Sequence, residues 1–265
     1  MRKGKKYITL MKTSVQQTIA YRSNFFISIM VTALLFISSF FLWKSVFASK
    51  DMVSDYTWES MRAYLLVAFI CNTLLSWYSE SSISRKILDG SVAMDLTKPF
   101  DFYFARLAET IGSSLFEALV ILIVSISLVL GLNIPLPGHI STWCFFLISV
   151  VLALIIKFEI VYLFSMFVFT TTSYMGIQWS RAAITNLLSG GLIPLTFFPE
   201  GLTNVLNQLP FSYIVSLPAS IFLNQAELSA IPGVFLKEII WVVILFALGK
   251  LSFSLNIRKI TINGG

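Results

Sequence analysis

Charge is scarce in this sequence. Asp, Glu, Lys and Arg make up 12% of the 265 residues, about half the share an average soluble domain carries. Apolar residues reach 57%, with 24 Phe among them, so too little polar surface exists to cover a water-soluble globule. A soluble, disordered or collagen-like chain is excluded; this is an integral membrane protein. The one histidine, His139, follows Pro135, Pro137 and Gly138 in a short turn, where a solvated loop residue explains it better than a ligand. Cys71 and Cys144 both sit in apolar runs, and their spacing gives neither a metal site nor a disulfide framework. No G-x-x-x-x-G-K-[ST], H-E-x-x-H or G-x-S-x-G occurs. The chain is therefore expected to have no enzyme activity, metal or cofactor of its own.

Where charge does occur it is mostly basic, and the net +6 sits at the flanks of apolar spans, not on a face for nucleic acid. Six segments come near the roughly 20 apolar residues a spanning helix requires: 24–47, 62–79, 111–132, 142–170, 182–199 and 233–255. The first is too long for the h-region of a signal peptide. The fourth is too long to cross upright, and the fifth, with Gly190, Gly191 and Pro194, is broken near its end. Arg2, Lys3, Lys5, Lys6, Lys12, Arg22, Arg85, Lys86, Lys98, Arg106, Arg181, Arg258 and Lys259 fall on one side. Only Lys50, Lys44, Arg62 and Lys237 fall on the other, so both termini are expected to be cytoplasmic.

The connections carry pattern too. In residues 1–23, Ile8, Met11, Val15 and Ile19 recur at helical spacing opposite basic residues, which predicts an interfacial amphipathic helix on anionic lipid. The long connection 80–110 places Ile83 and Ile87 one turn apart and reaches Gly90, a natural helix end; Pro99 then stops regular structure and Asp101 can cap a new helix. The opposite connection, 200–232, is apolar but punctuated by Pro210 and Pro218, which predicts two short re-entrant helices. Glu117, Lys157 and Glu159 lie inside spans, where charge is expensive. Lys157 and Glu159, two residues apart, point to different faces. A Glu117–Lys157 pair is allowed, and these groups either form a structural ion pair or line a hydrated surface. Gly190–Gly191 either brings helices close or forms a flexible exit or dimer contact.

Three stretches resemble a known family: YRSNFF (Tyr21 to Phe26), SISRKILDGSVAMDLTKPFDFYFARLAE (Ser82 to Glu109), and NLLSGGLIPLTFFPEGLTNVLNQLPFSYIVSLPASIFL (Asn186 to Leu223). They are similar to type-2 ATP-binding-cassette export permeases, in the six-span branch of roughly 260 residues. The resemblance implies a single all-α permease domain over 1–265: interfacial helix 1–23, spans 1–2 in 24–79, coupling segment 80–110, spans 3–5 in 111–199, outer segment 200–232, and span 6 with a tail in 233–265. It implies a second copy or a related permease as partner, and a cytoplasmic ABC ATPase dimer that binds ATP and Mg. Ile83, Arg85, Ile87, Leu88, Asp89, Gly90, Lys98, Pro99 and Asp101 would then couple to that ATPase. Glu117, Lys157, Glu159, Asn186, Ser189, Gly190, Gly191 and Pro194 are candidates for the translocation path or dimer interface. The expected function is ATP-driven export of a hydrophobic or amphipathic cargo such as a drug, lipid-like molecule or peptide, with the bilayer itself as a partner and no nucleic acid. Two other classes fit the composition: a non-transporting assembly, sensing or immunity protein, and an ion-coupled secondary transporter.

Overall fold

In a bilayer every backbone polar group must be satisfied internally, so apolar segments of this length have only the helix available. The computed structural model describes residues 3–75, 77–171, 173–226 and 230–257. Arg2, Arg258 and Lys259 lie outside the described residues. Two helices open the chain, α1 (Lys3–Ala20) and α2 (Arg22–Phe47), separated only by Tyr21. A hairpin of two-residue strands follows, β1 (Met52–Val53) against β2 (Tyr56–Thr57), with Val53 opposite Tyr56. Next come α3 (Trp58–Thr73), α4 (Trp77–Leu88), α5 (Val92–Leu96) and α6 (Phe102–Leu132). The rest is α7 (Ile140–Ser165), α8 (Tyr174–Leu188), α9 (Glu200–Leu206), α10 (Ser216–Phe222) and α11 (Ile231–Asn256).

Local chemistry explains most boundaries. Thr57 and Ser60 form a reciprocal capping box that starts α3. Asp101 caps α6, its side chain accepting from the Phe104 amide at 3.3 Å, as its position before the apolar run predicts. Asn133 ends α6 in the left-handed conformation (φ 49°), and Pro135 follows. A 3-10 turn, Met166–Phe169, prolongs α7, which accounts for the length expected of the fourth segment.

Among the described residues, four helices are long and apolar enough to cross a membrane: Phe25–Phe47, Phe102–Leu132, Ile140–Phe169 and Ile231–Asn256. The other two expected spans appear as shorter helices. The second, expected over 62–79, is α3, 16 residues that begin earlier and stop at Thr73. Hydrophobic around its whole circumference, α3 is the buried centre of the molecule, enclosed by α2, α6, α7 and α10. The fifth, expected over 182–199, is α8, 15 residues placed eight positions upstream. Its buried face carries Gln178, Arg181 and Thr185, polar residues that conceal its first half from a reading based on apolar runs.

Within the expected 1–23, α1 forms the predicted helix, and one side of it packs on protein while Ile8 and Ile19 stay exposed. α1 runs along the first half of α6, where a side chain on Gly112 would clash with the Met11 carbonyl oxygen. The Ser14 hydroxyl donates to the Glu109 carbonyl at 2.6 Å. α6 at 31 residues is about 46 Å long, well beyond the roughly 30 Å of a hydrocarbon core. Its first turns are thus available to α1. Between α8 and α11 two short helices form as predicted; α10 is buried against α7 and α3, while α9 keeps Leu202 and Val205 exposed.

Candidate functional site

The segment between α3 and α6 is built around an inverted polarity. In α5 the carboxylate of Asp95 is buried (4% exposed), while its neighbours Met94 and Leu96 stand out at 65% and 41%. A surface helix ordinarily does the reverse. Asp95 receives Lys98 Nζ at 2.7 Å, Lys86 Nζ at 3.1 Å and Arg106 Nη2 at 3.1 Å. Burial alone would raise its carboxyl, but the Lys98 hydrogen bond, the Arg106 charge and Lys86 together hold it below the usual carboxylate range. Arg106, also buried, pairs with Glu109 at 2.6 Å and lies over the Phe102 ring at 5.2 Å. One carboxylate therefore ties α4, α5 and α6 together.

Around this hub the nominated residues divide. Ile83 and Ile87 face inward and join Val92, Phe102, Tyr103, Phe158 and Tyr162 in one apolar cluster. Leu88, Asp89, Gly90, Lys98 and Pro99 are exposed, and Arg85 is half-buried. Gly90 adopts φ 74°, the left-handed residue that ends α4, and Asp89 accepts from the Ser91 amide at 2.9 Å. Asp101 is exposed and pairs with Lys250 of α11 in addition to capping α6. Sequence reasoning missed Met94, Leu96 and Arg106. Basic residues at 86, 98 and 106 flanking Asp95 were the available signal.

Lys157 and Glu159, inside the same span, go to separate places. Lys157 donates to the Asn72 and Leu74 carbonyls at 3.0 and 2.5 Å, placing its ammonium at the C-terminal, partly negative end of α3. Glu159, on another face of α7, accepts from the Tyr103 hydroxyl of α6. Glu117 is fully buried on α6. Glu238, fully buried on α11, was not among the nominated residues, although its place inside the last apolar run was plain. The Gly190–Gly191 turn is held tightly: Tyr64 donates to the Gly190 carbonyl at 2.6 Å, Asn72 to that of Gly191 at 3.3 Å, and the Ser216 amide to that of Ser189 at 3.1 Å. Gly190 has φ 82°, and a side chain there would meet the Tyr64 hydroxyl at 2.6 Å. Pro194 is buried beyond it. Asn186 and Lys157 meet in a cleft of about 360 Å³ between α2, the end of α3, α7 and α8.

The model of a family described as "ABC-2 family transporter protein" matches residues 33–264. The chain belongs to this family. Comparison with curated proteins gave no match. An ABC-2 permease is a membrane-embedded transport component, and the helical chain with its four long apolar helices among the described residues fits that setting. The family match takes in all of the α4–α5 hub and the α3, α7 and α8 walls of the cleft, but it begins inside α2, beyond the Ile27–Thr32 wall. The packing of α1 on α6 thus adds an element from outside the matched region to this permease.

Proposed function

We propose that this permease subunit works as the transmembrane half of an ATP-driven exporter, in the cell membrane with both termini cytoplasmic. Its partners are a cytoplasmic ABC ATPase dimer, which binds the ATP and Mg, and a second copy or a related permease. The cargo is hydrophobic or amphipathic. The observation that carries this reading is the exposed pair Met94 and Leu96 above the buried Asp95 hub. An exposed apolar rim on an otherwise charged segment suits contact with another protein. The hub beneath it suits transmission of force, since a push on α5 is delivered to α6 through Arg106. The absence of any P-loop in the sequence agrees with a separate motor.

The test is a Met94→Asp, Leu96→Asp double variant in the complex purified with its ATPase. Both side chains are exposed, so membrane insertion and stability should change little, within about 0.5 kcal/mol per site. Cargo-stimulated ATP hydrolysis and export should fall at least several-fold. Normal stimulation and export would reject the assignment of this face to the ATPase.

A further inference from the structure

α2 rests chiefly on α3, and α8 chiefly on α7; the cleft of about 360 Å³ fills the space left between them. Its lining joins two kinds of surface. The titratable side chains among its described lining residues are both cationic, Lys157 and Arg181. Beside them stand the Asn186 amide and the hydroxyl of Thr185, which is only 4% exposed and whose oxygen makes no hydrogen bond within the described residues. A buried hydroxyl in this state costs stability unless a partner completes it. The mouth of the cleft is apolar: Ile27, Val31 and Trp179 line it and remain 61%, 53% and 64% exposed. The larger hollow, about 580 Å³ near α9 and α10, is lined by both Asp55 and Lys237 and so selects no sign of charge.

Resting on the permease reading above, we propose that the α2–α8 cleft takes the anionic headgroup of an amphiphilic cargo, a phosphate or carboxylate carried on an apolar tail. The headgroup accepts from Thr185 and Asn186 beside the Lys157 and Arg181 charges. The tail leaves over Ile27, Val31 and Trp179 into the bilayer. A small free anion has no use for that lip, and an uncharged hydrophobe leaves the Thr185 hydroxyl unsatisfied.

Trp179 supplies the readout. The full chain is reconstituted in phosphatidylcholine vesicles containing increasing brominated phosphatidylglycerol, or brominated phosphatidylcholine as the zwitterionic control. Subtracting the fluorescence of Trp179→Phe isolates the Trp179 signal. Quenching should saturate at a several-fold lower fraction of the anionic lipid. Arg181→Gln should bring that preference close to unity, and Thr185→Val should raise the fraction of anionic lipid needed for half-quenching about fivefold, the size of one neutral hydrogen bond. If Arg181→Gln fails to fold, Thr185→Val decides, since removing an unpartnered hydroxyl does not strain the protein. Equal quenching by both lipids, or an unchanged half-quenching fraction of the anionic lipid in Thr185→Val, overturns the proposal. So does displacement of the lipid by inorganic phosphate alone, which would mark a free-anion site. In the complex with its ATPase, trapping the nucleotide-bound state should release the quencher; retention would identify a resident structural lipid and overturn the cargo assignment. The vesicle measurement uses no ATPase, so its failure leaves the coupling test standing, and failure of coupling leaves the lipid preference intact.

Discussion

At the scale of single residues, the most consequential side chain is Asp95, because three cations converge on one buried carboxylate. Replacing it with Ala leaves Arg106 buried with half its charge compensation gone, and should destabilise the protein by about 3 kcal/mol in detergent unfolding experiments. The pH dependence has a defined sign. The folded carboxyl is held below its unfolded value, so its contribution is complete above about pH 4 and is lost as acidity drives through the lower folded value. Thermal stability should therefore decline below about pH 4, and Asp95→Asn should flatten that acid limb; an identical limb in the variant would remove Asp95 as its source. The sequence displayed the charges at 86, 95, 98 and 106 but not their convergence. Gly90 and Asp101 were legible from sequence because helix-end chemistry is local. The break at Gly190 was legible as well, but not what holds it, because the Tyr64 hydroxyl that fixes its turn comes from 126 residues away.

Among elements, α1 shows where pattern reading stops. Its amphipathic period predicted a helix, and the helix is there. The period alone does not say what covers each side of the helix, and here α6 lies along the Met11–Ser14 side, with Gly112 allowing the backbones to touch, while Ile8 and Ile19 stay exposed. Gly112→Ala would drive a methyl into the Met11 carbonyl oxygen and should lift α1 away. Limited trypsin digestion in detergent would report this as several-fold faster cleavage after Lys5, Lys6 and Lys12, while wild-type rates would show that α1 tolerates the methyl. α3 and α8 give the complementary lesson. α3 stops at Thr73, with Leu75 in a left-handed conformation and the Lys157 ammonium on the last carbonyls. The ammonium that satisfies those carbonyls comes from another helix, and no local signal within 62–79 announced it. α8 begins early because its polar residues are buried among protein, a compensation hydropathy does not register.

For the whole molecule, the hub, the cleft and the α1–α6 contact share α6 and α7 as a frame. α6 receives Arg106–Asp95 at its base and α1 along its first turns, while α7 sends Lys157 to α3 and Glu159 to α6. If α6 carries motion from the α5 rim into the membrane, Arg106→Gln should leave α4 seated by Ile83 and Ile87 yet weaken the link to α6. In the complex with its ATPase, cargo moved per ATP hydrolysed should then drop several-fold; an unchanged ratio would place the transmission elsewhere. The amino-acid sequence by itself determined that this is an all-helical membrane protein, where its long connections fall, and that it carries no P-loop. Those follow from composition and from periodicity within one helix, and both are properties of contiguous residues. Tertiary structure alone decided what covers α1, where α3 ends, which side of α5 is buried and which residues share the α2–α8 cleft. Each of these depends on burial against a distant segment, and the free energy of burial belongs to the pair of surfaces in contact, not to either stretch of chain.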